Sequence, residues 1–170
     1  MFRERKREIG DQAVWSVSSA KPGSGVEHLR DGNLETFWQS DDLQPHFINI
    51  QFHRKQVVDE IRLYANQAQD ESYTPERLVI LSGTTFHDLI EIQTVELPEM
   101  TGWCSIKLHD VTGGPLRTNF LQIAITNMFQ SGRDTHVRQC QVLTPDTPVA
   151  AHLDIPTFAA PALNVYTGIR

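Results

Sequence analysis

Apolar and polar residues alternate with a period of two through most of the middle of the chain, the signature of half-buried β-strands. Residues 45–53 put Ile48, Ile50 and Phe52 on one face and Asn49, Gln51 and His53 on the other. Residues 59–65 group Ile61, Leu63 and Ala65 opposite Glu60, Arg62 and Tyr64. Residues 103–109 align Cys104, Ile106 and Leu108, residues 119–127 align Leu121, Ile123 and Ile125, and residues 136–144 align Cys140 and Val142. With 13–17, 78–82 and 90–97, the pattern predicts about eight short strands. Turn chemistry separates them at Pro22-Gly23, Asp31-Gly32, Ser82-Gly83, Thr101-Gly102, Gly113-Gly114-Pro115 and Ser131-Gly132. The apolar parity slips by one between Ile92 and Val95, which predicts a bulge. Residues 26–29 fit one helical turn, and Asn33 is placed to cap another. Antiparallel strands without a long helix predict an all-β fold, a jelly-roll β-sandwich.

The chain divides into a charged lead-in, 1–10, the sandwich, 11–145, and an extended tail, 146–170. From Pro145 onward lie four of the nine prolines, and only Asp146, Asp154 and Arg170 carry a full charge. Proline breaks ladders and helices alike, while Val149, Leu153, Ile155, Phe158, Leu163, Val165, Tyr166 and Ile169 need a surface to cover them. Fully extended, the residues after Ala150 reach about 70 Å, enough to engage a separate subunit. The chain then ends in Ile169-Arg170, an apolar side chain, a guanidinium and a carboxylate together.

The composition excludes several classes. Of 170 residues, 15 are Lys or Arg and 21 Asp or Glu, a net −6 that argues against a nucleic-acid surface or a polybasic membrane anchor. No apolar run approaches the roughly 20 residues that span a bilayer. The first eight residues are charged where a secretory leader is greasy. Cys104 and Cys140, the two cysteines, both fall on apolar strand faces, so a reducing compartment and core roles are expected.

Catalytic constellations do not assemble in this pattern. The seven histidines, at 28, 46, 53, 87, 109, 136 and 152, show no i, i+4 pair and no Cys/His knuckle spacing for zinc. Gly23-Ser24-Gly25 lacks the lysine of a phosphate loop. Ser131, Asp134 and His136 have the letters of a triad, but six consecutive residues tend to fan apart. Asp41-Asp42 and Asp70-Glu71 read as solvated loop carboxylates, too few for calcium. A binder without cofactor or metal is expected, not an enzyme.

Three loops carry a recognition composition. Residues 36–41 run Thr36-Phe37-Trp38-Gln39-Ser40-Asp41, residues 70–75 place Tyr73 beside Ser72 and Thr74, and residues 130–136 are dense in donors and acceptors. Loops cluster at the ends of a sandwich and can form one patch. Trp38 fits equally a plug for the open end or a ligand contact, and Arg133 and Asp134 fit ligand contacts or a local pair.

The stretch from Asp31 to Asp41, followed by Gln44-Pro45-His46 and Ile48-Asn49-Ile50-Gln51-Phe52, resembles the DOC domain, a branch of the galactose-binding-like β-sandwiches. Residues 13–26, Asp70-Glu71-Ser72-Tyr73-Thr74-Pro75, Gly132-Arg133-Asp134-Thr135-His136-Val137-Arg138-Gln139 and the terminal Ile169-Arg170 extend the resemblance to the DOC-domain subunits of the anaphase-promoting complex. The resemblance implies a non-catalytic subunit of a nuclear and cytoplasmic ubiquitin ligase. Such a subunit acts with an activator WD-repeat propeller to hold destruction-box degrons. By position, Ser72, Tyr73, Ser131, Gly132, Arg133, Asp134 and His136 would face the degron. Ile169 and Arg170 would dock on a tetratricopeptide-repeat scaffold subunit. Ser131 stands where the family pattern often has Asn. A carbohydrate-binding module on the same sandwich is the alternative reading, disfavoured by the missing leader, sequons and disulfides. On this reading, joint replacement of Arg133, Asp134 and His136 by Ala is expected to shorten substrate residence and leave thermal stability nearly unchanged.

Removing Ile169 and Arg170 is expected to weaken assembly into the ligase while the sandwich stays folded. Co-purification of the truncated chain with its companions checks this, and undiminished recovery would refute the tail assignment.

Overall fold

The computed structural model describes residues 5–146. Glu8–Thr144 form one compact unit, and the flanking described residues 5–7 and 145–146 fall to a second. Ile169 and Arg170, with nearly all of the expected tail, lie outside the described residues.

Eleven strands occur among the described residues: β1 (Lys6–Glu8), β2 (Ala13–Val17), β3 (Trp38–Gln39), β4 (His46–Val58), β5 (Glu60–Asn66), β6 (Pro75–Gly83), β7 (Ile90–Glu96), β8 (Thr101–Lys107), β9 (Leu116–Met128), β10 (His136–Val137) and β11 (Gln139–Pro145). A five-stranded antiparallel sheet runs in the order β2-β4-β9-β6-β7. In the second layer β11 pairs with β5, and β5 with β8, again antiparallel. A two-residue ladder joins β10 to β3. The core follows the alternation. Ile48 and Ile50 of β4 and Leu121, Ile123 and Ile125 of β9 meet Ile61 and Leu63 of β5, Ile106 of β8 and Cys140 and Val142 of β11 in one buried cluster. Burying an Ile or Leu side chain is worth about 1.5–3 kcal/mol, so these positions fix the strand register. The two cysteines are free and buried, and burial pushes both thiols up.

The excess over the expected strands has three sources. Lys6–Glu8 is a strand inside the segment taken as lead-in. Trp38–Gln39 is too short for a periodic signal. Residues 136–144 split at Arg138: His136 and Val137 pair with Gln39 and Trp38, whereas Gln139 onward pairs with β5 from Tyr64. The bulge falls where parity slips, since Ile80 faces Gln93 and Leu81 faces Glu91, leaving Ile92 as the extra residue. Residues 26–29 form a single 3-10 turn. Asn33 caps no helix; its Oδ1 accepts the backbone N–H of Glu35, two residues on, in an Asx turn.

Candidate functional site

One end of the sandwich gathers the loops, and a buried carboxylate organises them. Asp70 closes the short helix α1 (Gln67–Asp70) and is only 4% exposed, not the solvated loop acid its neighbours in sequence suggest. Arg138 grips it with two hydrogen bonds, Nε to Oδ2 at 2.9 Å and Nη2 to Oδ1 at 2.8 Å. Arg138 also donates to the Leu34 carbonyl at 2.8 Å. His136 Nδ1 lies 3.0 Å from the same Oδ1, and its Nε2 lies 2.9 Å from Gln39 Oε1. Burial works to raise the Asp70 carboxyl, but the hydrogen bonds and charges of Arg138 and His136 outweigh it and hold the group below the ordinary range.

Planar groups stack on this base. The His136 ring lies between Phe37 (centroids 3.9 Å apart) and Tyr73 (4.1 Å), both nearly parallel to it. The Arg138 guanidinium sits 5.3 Å from the Phe37 centroid. Tyr73, at 38% exposure, is the outermost member. His136 is therefore beneath the rim, with its ring nitrogens turned to internal partners. Replacement by Ala would remove the ring on which Tyr73 stacks and a hydrogen-bond partner of Asp70, so a loss of stability, rather than the neutrality read from the sequence, is the expectation for the triple substitution.

The second and third loops are joined at Gly132. A β-carbon there would lie 1.8 Å from the Ser72 carbonyl oxygen and 3.3 Å from Met128 Cβ, so only glycine permits the approach. Thr135 Oγ1 donates to the Tyr73 carbonyl (3.2 Å), and the Phe129 N–H donates to the Thr74 carbonyl (3.0 Å). The non-glycine residues with positive φ among those described are Glu71 (49°), Gln130 (58°) and Ser131 (57°), all in these two loops. Each costs about 1–2 kcal/mol relative to right-handed backbone, and such strain concentrates where surrounding structure over-determines a surface. Asn tolerates this left-handed conformation better than Ser, so Ser131 carries more of that cost than an Asn would.

The first loop behaves differently from its composition. Trp38 is wholly buried, its Nε1 donating to the Ser19 carbonyl at 2.8 Å, so it plugs the sandwich. Ser40, also buried, donates to Asp134 Oδ1 and accepts from the Thr135 N–H, both at 2.9 Å. Asp134 is thus turned inward to Ser40 rather than paired with Arg133. The residues that reach the rim come later: Asp42, Leu43 and Gln44, which with Ser131, Gly132 and Arg133 line an open groove of about 420 Å³. Gln44 Nε2 donates to the Gly132 carbonyl at 2.8 Å, and buried His46 places Nε2 2.6 Å from the Arg133 carbonyl. Leu43 is 76% exposed. Leu43 lies in a turn-rich stretch before β4 without the aromatic residues of 36–41, and Gln44 is marked in the sequence only by the Gln44-Pro45-His46 run.

Of the seven expected rim residues, the structure brings Ser72, Tyr73, Ser131, Gly132 and Arg133 to one surface, and sets Asp134 and His136 behind it as supports. Among the described residues, no three of His, Cys, Asp and Glu gather as a metal site, and no helix is long and apolar enough to cross a membrane.

Comparison with known proteins gives the following. Residues 1–168 match the family model for anaphase-promoting complex, subunit 10. The chain is 53% identical over 139 residues to the human anaphase-promoting complex subunit 10, covering 82% of this chain and 75% of that protein. It is 46% identical over 165 residues to the Dictyostelium discoideum subunit 10, covering 97% and 87%. Among solved structures, the galactose-bound family 32 carbohydrate-binding module of C. perfringens NanJ superimposes with a TM-score of 0.69 at 12% identity, over 82% of this chain and 100% of that one. At that identity the likeness shows the β-sandwich fold, and the sugar belongs to that protein.

Gly132→Ala is expected to force the two loops apart and cost about 1–3 kcal/mol, read as a lowered midpoint in urea unfolding. The depressed Asp70 carboxyl stabilises the fold above the ordinary carboxylate range of about pH 4, and that contribution is lost as pH falls through the lower folded-state value. Asp70→Asn leaves Arg138 buried and unpaired. It is expected to lose about 3–5 kcal/mol at neutral pH and to show a shallower acid limb; an unchanged limb in pH-dependent unfolding would refute the linkage.

Proposed function

The chain belongs to the anaphase-promoting complex subunit 10 family, and on that premise we propose that it serves the complex as a non-catalytic substrate-recognition subunit. In this reading it acts beside an activator WD-repeat propeller as co-receptor for destruction-box degrons, and the complex works in nucleus and cytoplasm. The observation that carries the reading is the welded pair of loops. Ser72 and Gly132 are in backbone contact, Tyr73 is stacked on a buried imidazole, and an open groove lies beside Arg133.

The physical logic is that of a bivalent clamp. A surface set by buried ion pairs and ring stacking presents its donors without further ordering, which lowers the entropic cost of holding an extended peptide. Ser72, Ser131 and Arg133 supply polar contacts, Gly132 lets a peptide backbone come close, and Tyr73 supplies a rigid aromatic edge. Two weak contacts from two subunits on one degron raise the effective concentration and slow dissociation. Ubiquitin is then added repeatedly before release, with no bond made or broken by this chain. Asp134 and His136 are positioning residues in this scheme, acting through the 131–133 loop and Tyr73. Scaffold docking through Ile169 and Arg170 onto a tetratricopeptide-repeat subunit completes the proposal.

The Arg133 side chain is exposed, so Arg133→Ala separates recognition from folding. Residence of a destruction-box substrate on the complex with activator is expected to shorten about tenfold. The melting temperature of the isolated chain should move by less than about 2 °C. Single-molecule dwell times check this, and equal dwell times for variant and wild type would overturn the reading.

A further inference from the structure

The far pole of the sandwich carries a cationic feature that the degron reading does not use. Strand β4 begins at the loop rim with His46. Arg54 lies eight residues further on, about 26 Å away along an extended strand. There the ladder to β9 breaks: Gln51 faces Phe120 and Gln56 faces Thr118, so residues 52–55 oppose Asn119 alone. A bulge of this size lifts its residues off the sheet. Phe52 stays in the core at 3% exposure, while His53, Arg54 and Lys55 are consecutive and exposed.

No hydrogen bond or ion pair engages the His53, Arg54 or Lys55 side chains among the described residues. The chain is acidic overall, with 15 Lys and Arg against 21 Asp and Glu, and other arginines are spent internally: Arg30 on Glu8, Arg62 on Glu60, Arg77 on Glu96 and Arg138 on Asp70. Two adjacent cations without an ion-pair partner repel each other. The bulge lies between two grooves. One, of about 380 Å³, is lined by Gln12, His53, Arg54 and Gln56. The other, of about 260 Å³, holds Lys55 and Arg117 beside Ile90, which is 55% exposed. Phe86, equally exposed, rests edge-on against Phe120 at 4.5 Å. The acid in that second groove, Asp88, is committed to its own turn, accepting the backbone N–H groups of Thr84 and Thr85 at 2.9 Å each.

We infer that the β4 bulge is a second docking surface of this subunit, and that its occupant is an acidic polypeptide segment with an apolar anchor, contributed by another subunit of the complex. Charge complementarity selects the acidic partner. Exposed Ile90, which lines the same groove as Lys55, provides the apolar contact that a charged rim alone lacks. The inference uses membership of the complex but not the degron reading, because Arg133 and Tyr73 lie at the opposite pole.

The test titrates the full chain against the anaphase-promoting complex assembled without this subunit, at rising salt. Arg54→Glu with Lys55→Glu is expected to weaken binding about tenfold and to flatten the salt dependence. Arg54→Gln with Lys55→Gln should give a smaller loss and stands in if the reversed variant does not fold. A photo-cross-linker at position 54 should capture an Asp/Glu-rich segment of a neighbouring subunit. Affinity and salt slope equal to wild type in the folded variants would overturn the inference. So would capture of nucleic acid, a second copy of this chain, or a segment without acidic excess.

Discussion

The carboxylate of Asp70 is the constraint on which the loop end of the sandwich depends. It is nearly inaccessible to water, yet it meets a guanidinium through two bonds and an imidazole through a third. A buried ion pair of this kind contributes little net stability compared with a well-packed apolar substitute, but removing one partner strands the other. Its value here is geometric. Arg138 leaves the end of β10, Asp70 ends α1, and Phe37 and Leu34 belong to the segment before β3; one carboxylate and its two partners bring three distant parts of the chain into a fixed arrangement.

Above that base, close approach replaces charge. Gly132 lies against the Ser72 carbonyl with no room for a methyl group, and left-handed backbone at Glu71, Gln130 and Ser131 bends the loops to meet. These are local costs, tolerated because sheet strands on both sides hold the loop ends. The consequence is a surface whose shape precedes its ligand. A surface fixed in this way presents its polar groups without further ordering, which lowers the entropic cost of any contact it makes.

The two poles differ in the same strand. At its start β4 supports the rim through His46 and the Arg133 carbonyl; at its bulge it exposes His53, Arg54 and Lys55. A long central strand thus carries supports for the loop rim at one end and a cationic surface at the other, with fully buried Ile48 and Ile50 between them.

Alternation along the chain was enough to determine the sandwich, because burial energy acts residue by residue and the faces of β4, β5, β8 and β9 each announce their inward side. The bulge at Ile92 was legible for the same reason, as a break in parity. The rim was legible only in part. Ser72, Tyr73, Ser131, Gly132 and Arg133 come together at one end of the sandwich, but Asp70 reads as a solvated acid in the sequence and His136 as a surface contact, and both are buried. Burial of a loop residue depends on what folds over it, and the partners of Asp70 lie more than sixty positions away. Trp38 posed the same choice, resolved when its indole found the Ser19 carbonyl inside the sandwich. Periodicity records which way a strand faces; only the tertiary structure decides which loop atoms share a place, and that proximity makes one residue a rim contact and its neighbour a support.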